Sequence, residues 1–127
     1  MPMILADTSV WVAHFRKSNP SLERLLLNDQ IVCHPLVSIE IACGSPPSPR
    51  SSTLLYLKGL QQIAVATPHE IFLFIEQHKL FESGCGAIDV SLLASVLISE
   101  NALLWTLDKH LNALAIRLGI SYEAQLH

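Results

Sequence analysis

Four carboxylates carry the chemistry this sequence could perform. Asp7 directly follows a short apolar run, Glu40 stands among Leu36, Val37 and Cys43, Asp89 opens a long apolar run, and Asp108 follows Leu104-Trp105-Thr106-Leu107. Acids gathered in one place repel one another and stay ionised together only beside a cation. Hard carboxylate oxygens suit Mg²⁺ or Mn²⁺. Such ions act mainly on phosphate esters, where they activate water and offset charge on the departing oxygen. Each acid alone also has a plainer explanation. Asp is among the best helix caps, so Asp7, Asp89 and Asp108 could each simply start a helix. Glu40 could lie at a helix edge and reach water.

The elements that must position these acids alternate along the chain. Residues 3–5, 31–33, 63–66 and 102–106 read as short apolar strands, and a fifth near 120–122 would complete a sheet. Helices are expected over 8–16, over 21–28 with Ser21 as its cap, and over 35–43 with Pro35 in the first turn and Gly44 beyond the end. Further helices are expected over 51–60, 68–81, 89–99 and 109–118, the last stopped by Gly119. This alternation predicts an α/β fold, a mostly parallel five-stranded sheet with helices on both faces. Ligands in such folds bind beyond the carboxyl ends of the strands, where Asp7 and Asp108 would stand. On a helix, Glu40 shares a face with Leu36, Val37, Cys43 and Gly44, a core-facing stripe that is costly for a carboxylate without a partner. Asp89 shares a face with Leu92, Leu93, Val96 and Leu97, just after the turn-prone Gly84-Cys85-Gly86.

Composition bounds the reading. At 127 residues the chain fits one domain, 1–127. Half of it is apolar and 15% is charged, which excludes a disordered chain. Mean hydropathy is +0.40, in keeping with strands buried on both faces, a self-association surface, or both. No run approaches the roughly 20 apolar residues a membrane span needs, and no signal peptide is expected. Cys33, Cys43 and Cys85 form no CxxC pair, so they are expected to be small core residues of a reduced, cytoplasmic protein. The net charge of -3 argues mildly against non-specific DNA binding, although acids at a metal site count in that sum.

Taken in order, Asp7-Thr8-Ser9-Val10-Trp11, Glu40, Gly86-Ala87-Ile88-Asp89-Val90-Ser91-Leu92-Leu93-Ala94-Ser95 and Leu104-Trp105-Thr106-Leu107-Asp108 resemble the PIN-domain ribonucleases, in particular the VapC-type toxins of bacterial toxin–antitoxin pairs. The resemblance covers nearly the whole chain. It implies a metal-dependent endoribonuclease with a parallel five-stranded sheet. It implies Asp7, Glu40, Asp89 and Asp108 as the catalytic, metal-holding acids, with Thr8 or Ser9 and Thr106 as supporting hydroxyls. Asp7, Asp89 and Glu40 would hold one Mg²⁺ or Mn²⁺, and Asp108 would complete that site or help to hold a second ion. Products would carry 5′-phosphate and 3′-hydroxyl ends. The implied partners are RNA, a cognate VapB-type antitoxin and a second copy of the chain. The stretch Ser45-Pro46-Pro47-Ser48-Pro49 departs from the family by its proline content, in a region that often contacts the antitoxin.

A cationic path for RNA could use Arg16, Lys17, Arg50, Lys58, Lys109 and His110, each of which is otherwise an ordinary surface charge. Trp11 and Trp105 continue apolar patterns and are expected in the core. None of the six histidines has metal-ligand spacing such as HExxH. Two other functions remain. One is an inactive PIN-fold module that only binds RNA or protein. The other is a phosphoacceptor with Asp7 as nucleophile, which the neighbouring Ala6 and Ser9 disfavour, because such sites want a second acid there.

Overall fold

The computed structural model describes residues 1–125, so the last two residues of the expected domain lie outside the described residues. Its elements run β1 (Met3–Ala6), α1 (Thr8–Arg16), α2 (Pro20–Leu27), β2 (Ile31–Val32), α3 (Pro35–Cys43), α4 (Arg50–Gly59), α5 (Pro68–Gln77), α6 (Ala87–Leu97), β3 (Ala102–Trp105), α7 (Lys109–Arg117) and α8 (Tyr122–Gln125). The strands are parallel in the order β2-β1-β3, with Ile4 opposite Ile31 on one side and Leu103 on the other. Ile4, Leu5 and Ala6 are consecutive and all buried. Because successive strand residues point to opposite faces, both faces of the central strand are covered.

The α/β class and the parallel pairing match expectation; the count of five strands does not. Residues 63–66 and 120–122 do not form strands among the described residues. Instead Gln62, just before the first segment, forms one parallel bridge to Cys33, and Ser121 in the second forms one to Leu104. The partners explain this. Beyond Cys33, Pro35 begins α3, so β2 offers no further ladder to the 62–66 segment, and the Ala66 N–H turns to Ser95 Oγ at 3.1 Å. Beyond Ser121 the chain enters α8.

Helix boundaries follow their caps. Asn19, not Ser21, caps α2, accepting from the N–H groups of Ser21 and Leu22 at 2.9 and 3.1 Å. Helix α5 stops at Gln77 rather than near 81 because Lys79 turns into the left-handed region, at a φ of 52°. Helix α6 is buried at every residue from Val90 to Val96, as expected of a helix apolar all round. Both tryptophans are buried, but Cys33 is the one fully buried cysteine; Cys43 is exposed and Cys85 half-buried. Among the described residues no helix is long and apolar enough to cross a membrane.

One buried polar group ties two helices together. His34, 0% exposed, caps α3: its Nδ1 accepts the Leu36 N–H at 3.0 Å, and its Nε2 lies 3.1 Å from Ser95 Oγ on α6. Burial pushes the imidazole pKa below its ordinary value. In the unfolded chain the ring takes up a proton near pH 6.5; in the folded protein it resists until the pH is lower. The stabilising effect of His34 is therefore complete above that pH and lost as the pH falls through it. Urea unfolding of wild type and His34→Asn tests this. The advantage of wild type is expected to shrink below about pH 6.5, by at most roughly 1.4 kcal/mol per pH unit. Parallel pH profiles would contradict it.

Candidate active site

The ends of β1 and β3 deliver the first acids. Asp7 is the residue after β1, and its N–H continues the ladder to the Trp105 carbonyl at 2.9 Å. Its side chain caps α1, accepting the Val10 N–H at 3.2 Å. Two hydroxyls also donate to it, Ser9 to Oδ1 and Thr106 to Oδ2. Ser9 in turn accepts the Leu107 N–H at 2.9 Å, so α1 is laced to the segment after β3. Asp108 caps α7 through the Leu111 N–H at 2.8 Å, and its own N–H donates to Thr106 Oγ1 at 3.0 Å. The capping explanation and the cluster thus hold together for Asp7 and Asp108.

Glu40 does not face the core. Val37, Ser38 and Ile41 are the buried residues of α3, whereas Cys43 and Gly44 are exposed. Glu40 is half-buried, and its Oε1 accepts the Thr8 hydroxyl at 2.6 Å. It lines a cleft of about 560 Å³ with Phe15, Arg16, Pro46 and Pro47. The proline-rich segment thus forms one wall of this cleft. Arg50 donates to the carbonyls of Ala42 at 2.6 Å and Gly44 at 3.5 Å, so it closes the end of α3 rather than standing free for RNA.

Asp89 does not cap its helix. Gly86 holds the cap position and Asp89 lies in the first turn, accepting the Gly86 N–H. Its pKa is raised, first by burial and then by the negative charges of Asp108, Asp7 and Glu40. The charges of the other three acids therefore act on Asp89. Asp7 is 5% exposed, and burial raises its pKa against the lowering effect of Ser9, Thr106 and the Val10 N–H. The half-buried Cys85 thiol joins the rim, its pKa raised by burial and by Asp89 and Asp108. Gly84, at a φ of 85°, keeps the turn open for His110; a Cβ there would stand 3.3 Å from His110 Nδ1. Cys85 and the His34–Ser95 pair were not singled out from the sequence as parts of this arrangement. The residue before Pro35 is a cap position, and that was the available signal for His34.

The donor chemistry is all-oxygen and strongly anionic, which fits a hard divalent cation. Among the described residues no group of three or more His, Cys, Asp or Glu side chains stands close enough to hold a metal ion.

No family model matches the chain. Ribonuclease VapC32 of Mycobacterium tuberculosis (strain CDC 1551 / Oshkosh) is 41% identical to it over 124 residues, which is 98% of this chain and 99% of that protein. Ribonuclease VapC32 of the H37Rv strain matches to the same extent. The chain belongs to the VapC-type family of PIN-domain ribonucleases.

A raised carboxyl pKa means that the ionised form works against folding. The unfolded chain releases the Asp7 proton near pH 3.9, the folded protein only at higher pH, so stability is lost as the pH rises through that window. Asn caps helices as well as Asp does and carries no charge. Asp7→Asn is therefore expected to unfold at or above the wild-type temperature at pH 7, read by circular dichroism. A fall of several degrees would show that the carboxylate supports the fold.

Proposed function

We propose that this protein is the toxin of a toxin–antitoxin pair and acts as an endoribonuclease that hydrolyses RNA phosphodiester bonds. The observation that carries the reading is Asp89, whose carboxyl is raised first by burial and then by the negative charges of Asp108, Asp7 and Glu40. Full-length similarity to Ribonuclease VapC32 supports the same activity and disfavours an inactive binding module. We extend the single PIN domain over residues 1–127.

Asp7, Glu40, Asp89 and Asp108 would hold Mg²⁺ or Mn²⁺. When bound, such an ion lowers the pKa of water and stabilises charge on the phosphate. The chain's own residues do the positioning. Ser9, Thr106 and the Val10 N–H fix both oxygens of Asp7. Thr8 fixes Glu40, and the Leu111 N–H fixes one oxygen of Asp108. Donors held in this way do not have to be ordered when substrate arrives. Arg16 lines the cleft beside Glu40, and exposed Lys109 follows Asp108; both are suited to the RNA backbone.

The proposed partners are an RNA substrate, a VapB-type antitoxin and a second copy of the chain. Exposed Phe72, Leu73 and Phe81 on and after α5 support an apolar contact of that kind. A cytoplasmic location accords with three free cysteines.

Purified, antitoxin-free protein incubated with total cellular RNA tests the reading. Discrete fragments are expected with Mg²⁺ or Mn²⁺ and none with chelator. Asp7→Asn and Asp89→Asn are each expected to lose at least about 100-fold in rate, a barrier increase of roughly 2.7 kcal/mol. Cleavage that survives chelation or either substitution would refute the mechanism.

A further inference from the structure

The acids are aligned by two helices, α3 carrying Glu40 and α6 carrying Asp89. Between them lies the buried His34–Ser95 pair, His34 Nε2 standing 3.1 Å from Ser95 Oγ. His34 Nδ1 accepts a backbone N–H, so the proton of the neutral ring lies on Nε2 and is donated to Ser95 Oγ. Ser95 Oγ also accepts the Ala66 N–H, and both of its acceptor positions are filled. His34 and Ser95 are each 0% exposed, where an unpaired polar atom is costly. The group beside them that could titrate is the buried Cys33 thiol, whose pKa burial raises, so it brings no charge. Capping alone needs only a short polar side chain such as Ser or Asn. An imidazole adds a second polar atom that reaches the next helix.

Glu40 lies six residues beyond His34, and Asp89 six residues before Ser95. At about 1.5 Å per residue, each acid is about 9 Å along its helix from the pin. A small tilt of α3 at His34 is carried along a rigid helix to Glu40. We infer that His34 is a positioning residue for the reaction, which pins α3 to α6 through Ser95 and so sets Glu40 relative to Asp89. This rests on the proposed nuclease reading. The neutral ring is the working form, and the lowering of its pKa by burial favours that form.

The test uses four variants of the full chain. His34→Asn keeps a cap acceptor but cannot reach α6. Ser95→Ala removes the other end of the bridge, and the third variant combines the two. Ser95→Thr retains the hydroxyl. Mn²⁺ affinity by calorimetry, kcat/KM on RNA and the unfolding temperature are measured for each. His34→Asn and Ser95→Ala are expected to weaken Mn²⁺ binding and kcat/KM by about 10-fold each. The double variant is expected to be no worse than either single one, and Ser95→Thr to recover most of the loss. A lower unfolding temperature with Mn²⁺ affinity and kcat/KM within twofold of wild type would reduce the pair to a fold-holding role and overturn the inference. A wild type that neither binds Mn²⁺ nor cuts RNA would overturn the nuclease reading instead. Metal-free crystal structures of wild type and His34→Asn then decide the inference. Displacement of Glu40 from Thr8 in the variant supports it, and an unmoved Glu40 overturns it.

Discussion

The hydrogen bond from Thr106 to Asp7 joins the carboxyl ends of the two four-residue strands, β1 and β3. Much of the site is arranged around it. Asp7 is fixed in the ladder through Trp105 and starts α1, which brings Thr8 to Glu40 and Ser9 to the segment after β3. Thr106 orients the Asp108 backbone and, through it, the start of α7. Two helix caps and two strand ends therefore share one buried carboxylate. The cost of burying it is visible in its raised pKa, and that cost is local to the place where anionic charge would be used.

The sheet itself is small because its connections are abrupt. A proline helix start two residues after Cys33, and a helix start directly after Ser121, leave each outer segment one bridge. What a wider ladder would supply is provided by side chains. Ser95 holds the Ala66 backbone from α6, and Ser121 Oγ donates to Asn112 on α7 at 2.8 Å. The seven-residue buried stretch of α6 anchors the rest, since full burial of one Leu or Val is worth roughly 1.5–3 kcal/mol.

The sequence was most legible where one residue served two purposes. Asp7 and Asp108 cap helices and stand at strand ends, so local preference and tertiary placement point the same way. Helix α3 was legible at both ends from Pro35 and Gly44, yet the environment of Glu40 was not. Helical spacing gives a face but not its neighbour, and here the neighbour is an open cleft walled by residues 44–47. The apolar runs at 63–66 and 120–122 have strand composition, but pairing depends on where the partner ends. The end of α5 lacked a glycine signal, because Lys79 takes the left-handed conformation that glycine usually fills. His34 was hidden by its type, since a buried, neutral histidine with both ring nitrogens engaged is defined by what surrounds it.

The site orders its acids with hydroxyls and backbone amides. Ser9, Thr106 and Thr8 each donate one hydrogen bond to a carboxylate and leave its charge unchanged. A lysine or arginine in the same place would orient the acid equally well, but it would neutralise the charge and compete with a cation for the same oxygens. The basic residues stand outside this inner ring instead: Arg16 on the cleft wall, Lys109 exposed after Asp108, and Arg50 occupied at the end of α3. The Asp89 carboxyl is accordingly raised, first by burial and then by the negative charges of Asp108, Asp7 and Glu40. Under the proposed reading, a dication bound beside Asp89 would offset those charges as well as gain its own contacts.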